Sequence, residues 1–318
     1  MSLPPDTRPT GTTPAGATPT GTTPAGTTPA DTGVIHDIGY RGYQGPRLGR
    51  AYATRSLFTQ SLRAAYGLGR SGKSKVLPML VLGAVTVPAA IMVALAITTK
   101  QDTLPVEYTG YLSALGLVIW IFLAAQTPVL LSRDLRHHTV PLYFSRPITR
   151  ADYVRAKSAA MFCAQLLLMT APLVVLYVGA LLGGMDFGDN TEHFLQGLFA
   201  AVLYALVPTS IALVIAASTP RRGFGVAAIM GYLAVSATVA AVSVGMTRGT
   251  DSADAAQWTA LISPDSLVES LVNELFDLGT GLDRRHAPGG LGLMVFALVA
   301  VAMVAGSHRL LLRRYKTI

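Results

Sequence analysis

The stretch GLGRSGKSKVLPMLVLGAVTVPAAIMVALAI, residues 67–97, contains the two features on which the interpretation of the chain depends. Its second part, Val76–Ile97, has 22 residues without a charged side chain. A helix needs about 20 mostly apolar residues to cross the hydrocarbon core of a bilayer. Its first part, Gly67–Ser74, matches G-x-x-x-x-G-K-[ST], the pattern of a phosphate-binding loop. The stretch therefore predicts a membrane span, and it poses the question of whether the preceding loop binds a nucleotide.

Composition extends the membrane interpretation to the whole chain. The 318 residues are 51% hydrophobic and 13% charged, whereas soluble domains carry about 25% charged residues. Five further segments are long and apolar enough to cross a bilayer. The sequence therefore predicts an all-α polytopic membrane protein with six transmembrane helices. The predicted spans are Val76–Ile97, Gly110–Leu131, Ser158–Leu182, Phe194–Ser218, Gly223–Gly245 and Gly289–Leu312.

Basic residues are distributed unequally between the two sides of these spans. Of the 25 Lys and Arg residues, 21 fall on the side of the two termini and four fall on the other side. Twelve of the 17 Asp and Glu residues lie on that other side. The positive-inside rule therefore predicts that the N-terminus and the C-terminus are both cytoplasmic. The same distribution explains the net charge of +8 without a nucleic-acid partner.

The chain before the first span divides into two parts. Residues 10–19, TGTTPAGATP, recur almost unchanged at 20–29, and such a Thr/Pro/Gly/Ala repeat has no apolar face to bury. We predict a disordered tail over residues 1–33, a cytoplasmic segment with an amphipathic helix over 34–75, and a six-span transmembrane domain over 76–318.

The phosphate-loop match stands in the wrong structural context. A P-loop needs a β-strand before it, so that backbone amides converge on phosphate at the start of the next helix. Here Phe58, Leu62 and Tyr66 recur every four residues, which predicts an amphipathic helix instead. We interpret the match as a glycine-rich turn at the lipid headgroups and predict no nucleotide site in this chain. The residues that form the match are Gly67, Gly72, Lys73 and Ser74.

Between the second and third spans lies LLSRDLRHHTVPLYFSRPITRADYVRAK, residues 130–157. This segment resembles the pattern RD-x-x-x-x-T-x-P-L-x-x-SRP-[IL]-x-R-x-x-Y found in permease subunits of bacterial ABC transporters of the ABC-2 type, which have the type V exporter architecture. It departs from the pattern at His138, where a Gly usually precedes the Thr. The matching residues are Arg133, Asp134, Thr139, Pro141, Leu142, Ser145, Arg146, Pro147, Ile148, Arg150 and Tyr153.

The resemblance implies that this loop forms a coupling helix that docks on a cytoplasmic ATPase. Apolar side chains in the loop would contact the partner, and its cationic side chains would pair with acidic groups there. The alternative is a basic loop bound to lipid headgroups. We predict that Thr149 and Asp152 cap the third span, and that the adjacent His137 and His138 form no metal site. The predicted coupling residues are Arg133, Asp134, Arg136, Val140, Leu142, Tyr143, Phe144, Arg146 and Arg150.

The resemblance also assigns roles to two other helices. The helix that carries Phe58, Leu62 and Tyr66 would be a connecting helix on the inner membrane face, with a plain interfacial anchor as the alternative. Ser263, Pro264 and Asp265 are typical of a helix start after the fifth span. The resemblance implies short external helices there that gate the exit; an ordinary interfacial helix is the alternative. The gate residues would be Leu267, Leu271, Leu275 and Phe276, with Glu269, Asn273, Glu274 and Asp277 on the opposite, polar face.

The middles of the predicted spans contain no Asp, Glu, Lys or Arg. Ion-coupled carriers usually need an ionisable residue within the membrane. The absence of one therefore favours transport driven by an energy source outside the membrane. The polar residues within the spans either line a pathway or form hydrogen bonds between helices. They are Gln126, Gln165, Tyr177, Tyr204 and Tyr232.

These features together predict the permease subunit of an ATP-driven exporter in the bacterial plasma membrane. The chain would not be an enzyme by itself and would hold no cofactor or metal. The resemblance implies that a separate ATPase binds ATP and Mg, and that two permeases, identical or related, combine with two ATPases. The alternatives are a non-transporting scaffold or signalling subunit, and a secondary carrier or channel.

Overall fold

The computed structural model describes residues 45, 48–136, 143, 148–247, 257–278 and 287–316. Within these ranges every regular element is helical. Residues 47–318 belong to one compact unit. The predicted tail and most of the segment before the first helix lie outside the described residues. The helices are α1 (Arg50–Ala65), α2 (Gly72–Thr98), α3 (Tyr108–Ala114), α4 (Gly116–Leu130), α5 (Ser132–Arg136), α6 (Arg150–Leu182), α7 (Phe187–Ser218), α8 (Arg222–Thr247), a short 3₁₀ helix (Thr259–Ile262), α9 (Pro264–Leu275) and α10 (Gly289–Lys316).

The prediction of an all-helical protein with six spans is confirmed by helix length and composition. Among the described residues, six helical segments are long and apolar enough to cross a membrane. Four of them extend well beyond the predicted bounds, because polar first turns and basic last turns continue the apolar runs. The third span begins at Arg150 rather than Ser158, so that Lys157 lies inside the helix. The six segments are α2, α4 with α5 (Gly116–Arg136), α6, α7, α8 (Arg222–Met246) and α10.

The second predicted span, Gly110–Leu131, is wrong as one continuous helix. It consists of α3 and α4, which are separated at Leu115, where φ is −92° and ψ is 7°. The following Gly116 has no Cβ and a weak preference for helix, so the interruption there costs little. The hydroxyl of Tyr111 donates to the carbonyl of Val85, at 2.6 Å, within the part of α2 that Pro88 interrupts. This bond fixes α3 to the first span.

The spans differ in how much of their surface the protein covers. Of the most apolar windows, α4–α5 is 65% buried and α6 and α7 are each 50% buried, whereas α10 is only 17% buried. The windows of α2 and α8 are 22% and 28% buried. α4, α6 and α7 therefore form the interior, and α2, α8 and α10 form the outer faces.

One close helix contact depends on a glycine. Gly179 on α6 faces Val93 on α2, and a methyl group added at Gly179 would overlap the Val93 side chain. Because a side chain at this position has no room, Gly179 sets the distance between the first and third spans.

Two apolar clusters fill the two ends of the bundle. One contains Leu57 of α1 and Phe122 of α4. The other contains Tyr108 of α3 and Leu267 of α9. We name these the α1 end and the α9 end.

Candidate functional site

α1 lies against the first half of α6 at the α1 end. Leu57 and Ala65 are buried, and the Tyr66 hydroxyl donates to the carbonyl of Ala164, at 2.8 Å. Phe58 and Leu62 are half-buried against the same apolar cluster. The opposite face of α1 is exposed: Ser56, Gln60 and Arg63. The helix is therefore amphipathic as the spacing predicted, and it begins earlier than Phe58, at Arg50.

An ion pair joins the start of α1 to the start of α6. Arg50 Nε donates to Asp152 Oδ2 at 2.5 Å, and Arg50 Nη2 donates to Asp152 Oδ1 at 2.9 Å. Nη2 also lies 3.1 Å from the Thr149 hydroxyl. Thr149 and Asp152 form the predicted capping box, in which each side chain bonds the backbone amide of the other residue. The same carboxylate therefore caps the third span and holds α1 to it.

A second ion pair, which the sequence did not indicate, joins α5 to α6. Lys157 Nζ lies 2.9 Å from Asp134 Oδ2 and donates to the Leu130 carbonyl at 3.0 Å. The Tyr153 hydroxyl donates to the same Asp134 oxygen at 2.9 Å. Lys157 and Asp134 side chains are 8% and 15% exposed. Buried charges are stable only when paired, so this cluster requires that α5 and α6 stay together.

Aromatic packing adds the last span to this cluster. The ring of Tyr153 lies 5.1 Å from the ring of Tyr315 on α10 and 5.6 Å from the ring of Tyr143. Tyr315 is fully buried. Arg150 Nη1 donates to the Lys316 carbonyl at 3.0 Å. The α1 end therefore connects the segment before the first span, the loop after the second and the end of the last.

The predicted coupling residues are distributed over this end as follows. Asp134 points inward to Lys157 rather than toward a partner, and Tyr143 packs on Tyr153. Arg136 and Arg150 are exposed. The side chain of Arg133 lies outside the described part of the chain. So do His137, His138, Val140, Leu142, Phe144 and Arg146.

The turn that matches the phosphate-loop pattern connects two helices. α1 ends at Ala65 before it, and α2 begins at Gly72. Gly67 has a positive φ of 67°, and its Cα packs against the backbone carbonyl of Ser74. The Ser74 hydroxyl donates to the Ser71 carbonyl at 2.8 Å. Lys73 is exposed. The helical context supports the interpretation as a turn.

The predicted polar residues within the spans mostly contact neighbouring helices. Gln165 Nε2 lies 3.5 Å from the Ile119 carbonyl on α4, and the Tyr177 hydroxyl lies 2.9 Å from Thr191 on α7. Gln126 is buried. Tyr204 borders a cavity at the α9 end, described below, and Tyr232 is half-buried.

α9 is buried more completely than its sequence pattern predicted. Leu267 and Leu271 are buried as expected, but Asn273 of the predicted polar face is also buried and Leu275 is 44% exposed. Ser263 precedes the helix and Pro264 starts it, yet the Ser263 hydroxyl makes no capping bond. Packing against several spans, rather than a simple division into two faces, decides these exposures. The ring of Phe276 contacts the ring of Phe199 on α7 at 5.6 Å.

Asp265, in the first turn of α9, is half-buried overall, with one carboxyl oxygen turned into the bundle. Its Oδ2 is enclosed and has no hydrogen-bond partner among the described residues. Burial raises the pKa of Asp265 to about 7; the indole of Trp120 on α4 opposes this, and the charge of Glu269 adds to it. The pattern Ser-Pro-Asp indicated a helix start and gave no sign that the acid is buried.

Fold and site together define a helical membrane protein in which the loop after the second span is anchored on the third. No protein-family model matches the chain, and no curated protein shows significant similarity to it.

Proposed function

We propose that the chain is the permease subunit of an ATP-binding-cassette exporter of the ABC-2 type, which forms the translocation path and works with a separate ATPase. The observation that carries the proposal is the anchoring of the described chain on both sides of residues 137–147. Before this segment, Asp134 is bound to Lys157 and Tyr153; after it, Thr149 and Asp152 are bound to Arg50.

This anchoring suits a loop that transmits force. A partner that displaces the loop would pull directly on the first two turns of α6 through the buried pair of Asp134 with Lys157 and the partly exposed pair of Asp152 with Arg50. α6 packs on α1, α2 and α7, so its tilt would reach the interior of the bundle. Interfaces of this kind switch between discrete packings, which is how ATP closure would bias inward- and outward-facing states.

The charge at the α1 end fits an acidic partner surface. Arg55, Arg63, Arg136 and Arg155 are all exposed there. Complementary charge would steer the ATPase to this end and fix its orientation. With this orientation the α1 end is cytoplasmic, in agreement with the positive-inside rule.

The first test is to isolate the chain from its native membranes in mild detergent, identify its partners and measure ATP hydrolysis. We expect a near-stoichiometric soluble ATPase, and hydrolysis that is unaffected by Lys73→Ala in this chain. Purification without an ATPase, together with hydrolysis lost in Lys73→Ala, would refute the proposal and make the glycine-rich turn a nucleotide site.

The second test addresses the loop itself. The double variant Arg146→Glu with Phe144→Ala should lose the ATPase while remaining folded. A matched control at the α9 end, Lys100→Glu with Val106→Ala, alters two exposed residues and should retain the ATPase. If the loop variant still assembled at full stoichiometry, this segment would not be the coupling element.

A secondary carrier is the second candidate function, and one observation favours it. Asp265 places an ionisable side chain within the bundle, and such residues often serve proton or ion coupling. Transport by the purified chain alone, driven by an imposed pH gradient, would favour this function over the exporter subunit.

A further inference from the structure

We propose that Asp265 is a proton-binding site: the carboxyl group is protonated while α9 is packed in the bundle, and it releases the proton when α9 moves out to water. This inference concerns the α9 end alone and does not depend on the ATPase.

The surroundings of the Asp265 carboxyl group favour its protonated form. Oδ2 of Asp265 is enclosed without a hydrogen-bond partner among the described residues. Trp120 on α4 lies beside it, and Asp265 acts electrostatically on Tyr232 of α8. A carboxylate in such a site loses much of its hydration and is compensated only in part by the Trp120 indole, so the neutral form is favoured.

The charge of the neighbours favours the same form. On α9 itself, Glu269 lies one turn from Asp265 and repels its negative charge. The phenol of Tyr232 faces it from α8, and that of Tyr204 lines the nearby cavity from α7. The described titratable residues of α10 begin at His308, near its other end, and the 3₁₀ helix has none. None of these described neighbours supplies a cation, which favours the protonated carboxyl group.

A cavity near Asp265 provides part of a route by which a proton could reach the site. A cavity of about 260 Å³ lies one helical turn from Asp265, between α3, α7 and α9. It is bordered by Glu269, and the Ser113 hydroxyl lies 3.5 Å from Glu269 Oε1. Thr109, Tyr204 and Asn273 complete its polar lining. A cavity of this size and polarity has room for water, which would bring a proton to Glu269, one helical turn from Asp265.

The polar anchoring of α9 is weak. The hydroxyl groups of Ser263, Ser266 and Ser270 are buried without hydrogen-bond partners among the described residues. Each unpaired group lowers the stability of the packed position relative to one in which water reaches it. These three groups add little to the packed position of α9, so ionisation of Asp265 would weaken that position further. The positive end of the α9 dipole favours the ionised form, but its effect is smaller than that of burial.

Trp120 provides the test, because it adjoins the carboxyl group and the chain has only two tryptophans. Trp258→Phe leaves Trp120 as the single fluorophore. In nanodiscs, titration from about pH 5 to about pH 9 should change its emission with a midpoint near 7. Asp265→Asn should abolish the transition, and Glu269→Gln should lower its midpoint. Glu274→Gln, on another face of α9, should leave it unchanged.

A flat titration, or one that persists unchanged in Asp265→Asn, would overturn the proposal. If Asp265→Asn fails to fold, infrared spectroscopy of the Trp258→Phe chain tests whether Asp265 binds a proton. The difference between about pH 6 and about pH 8 should contain the C=O band of one protonated carboxyl group, and Asp265→Glu should shift that band. Absence of the band would equally refute the site.

Discussion

The buried pair between Asp134 and Lys157 allows a quantitative prediction. Replacing Lys157 with Met removes the cation and leaves the Asp134 carboxylate enclosed, with the Tyr153 hydroxyl as a donor. Removing one partner of a buried ion pair costs about 3–5 kcal/mol. A loss of this size lowers the melting temperature of a domain of this size by roughly 10 °C. The converse change, Asp134→Leu, leaves the ammonium with the Leu130 carbonyl and should cost a similar amount.

The double variant Asp134→Leu with Lys157→Met allows the interaction energy of the two charges to be measured separately from the cost of leaving one of them unpaired. Neither charge then remains, so the expected loss is about 1 kcal/mol, mainly from the lost hydrogen bond between the Tyr153 hydroxyl and Asp134. The coupling energy from the four proteins should therefore reach at least about 5 kcal/mol. Thermal and denaturant unfolding in the same detergent measures the free energy of unfolding of the unaltered chain, the two single variants and the double variant.

Arg155 provides the matched control. It lies two residues before Lys157 on the same helix but is exposed, so Arg155→Met should change stability by less than about 0.5 kcal/mol. A Lys157→Met protein as stable as Arg155→Met, or a coupling energy below about 0.5 kcal/mol, would refute the view that this pair anchors the loop.

Three further predictions concern other contacts. Arg50→Ala should release the start of α1 and so speed hydrogen exchange of the backbone amides in its first turns. Unchanged exchange rates would mean that the ion pair with Asp152 is not formed in solution. Gly179→Ala should lower the free energy of unfolding by about 1–3 kcal/mol, and Val93→Ala should restore it. The control Gly231→Ala adds a methyl group in open space and should leave stability unchanged or raise it. Equal effects of the two glycine substitutions would contradict the close contact between Gly179 and Val93. The pKa of Asp265 rises from 3.8 to about 7, so its contribution to stability is full below about pH 4 and is lost as the pH rises through 7, by on the order of 4 kcal/mol. Asp265→Asn should flatten this dependence, which unfolding measurements across that range would detect.

The sequence predicted those parts of the fold that depend on local pattern. Val76–Ile97 is recognisable as a span because a long apolar run has few other uses. Thr149 and Asp152 are recognisable as a cap because both groups lie within one turn. The interruption at Leu115 was missed because α3 and α4 both lack charged residues, and hydropathy carries no information on backbone direction.

The parts that were missed depend on distant contacts. Asp134 and Lys157 are 23 residues apart, and their pairing requires the loop to return α6 onto α5. Asp265 has the position of an ordinary helix-start acid, and only the packing of α9 against Trp120 buries it. Asn273 and Leu275 exchanged their expected exposures for the same reason. A single sequence does not specify which helices become neighbours.

The interruption at Leu115 bears on how a tilt passes along the second span. A straight helix behaves as a stiff rod, so tilting one end moves the other end at the same moment. Here α3 is bonded to the first span through Tyr111 and packs on α7, whereas α4 packs mainly on α8 and α7. We expect the two segments to tilt with different neighbours, so that one end of the bundle could rearrange while the other keeps its seal. In an exporter, this independence would prevent both ends from opening together and letting ions leak across the cell membrane.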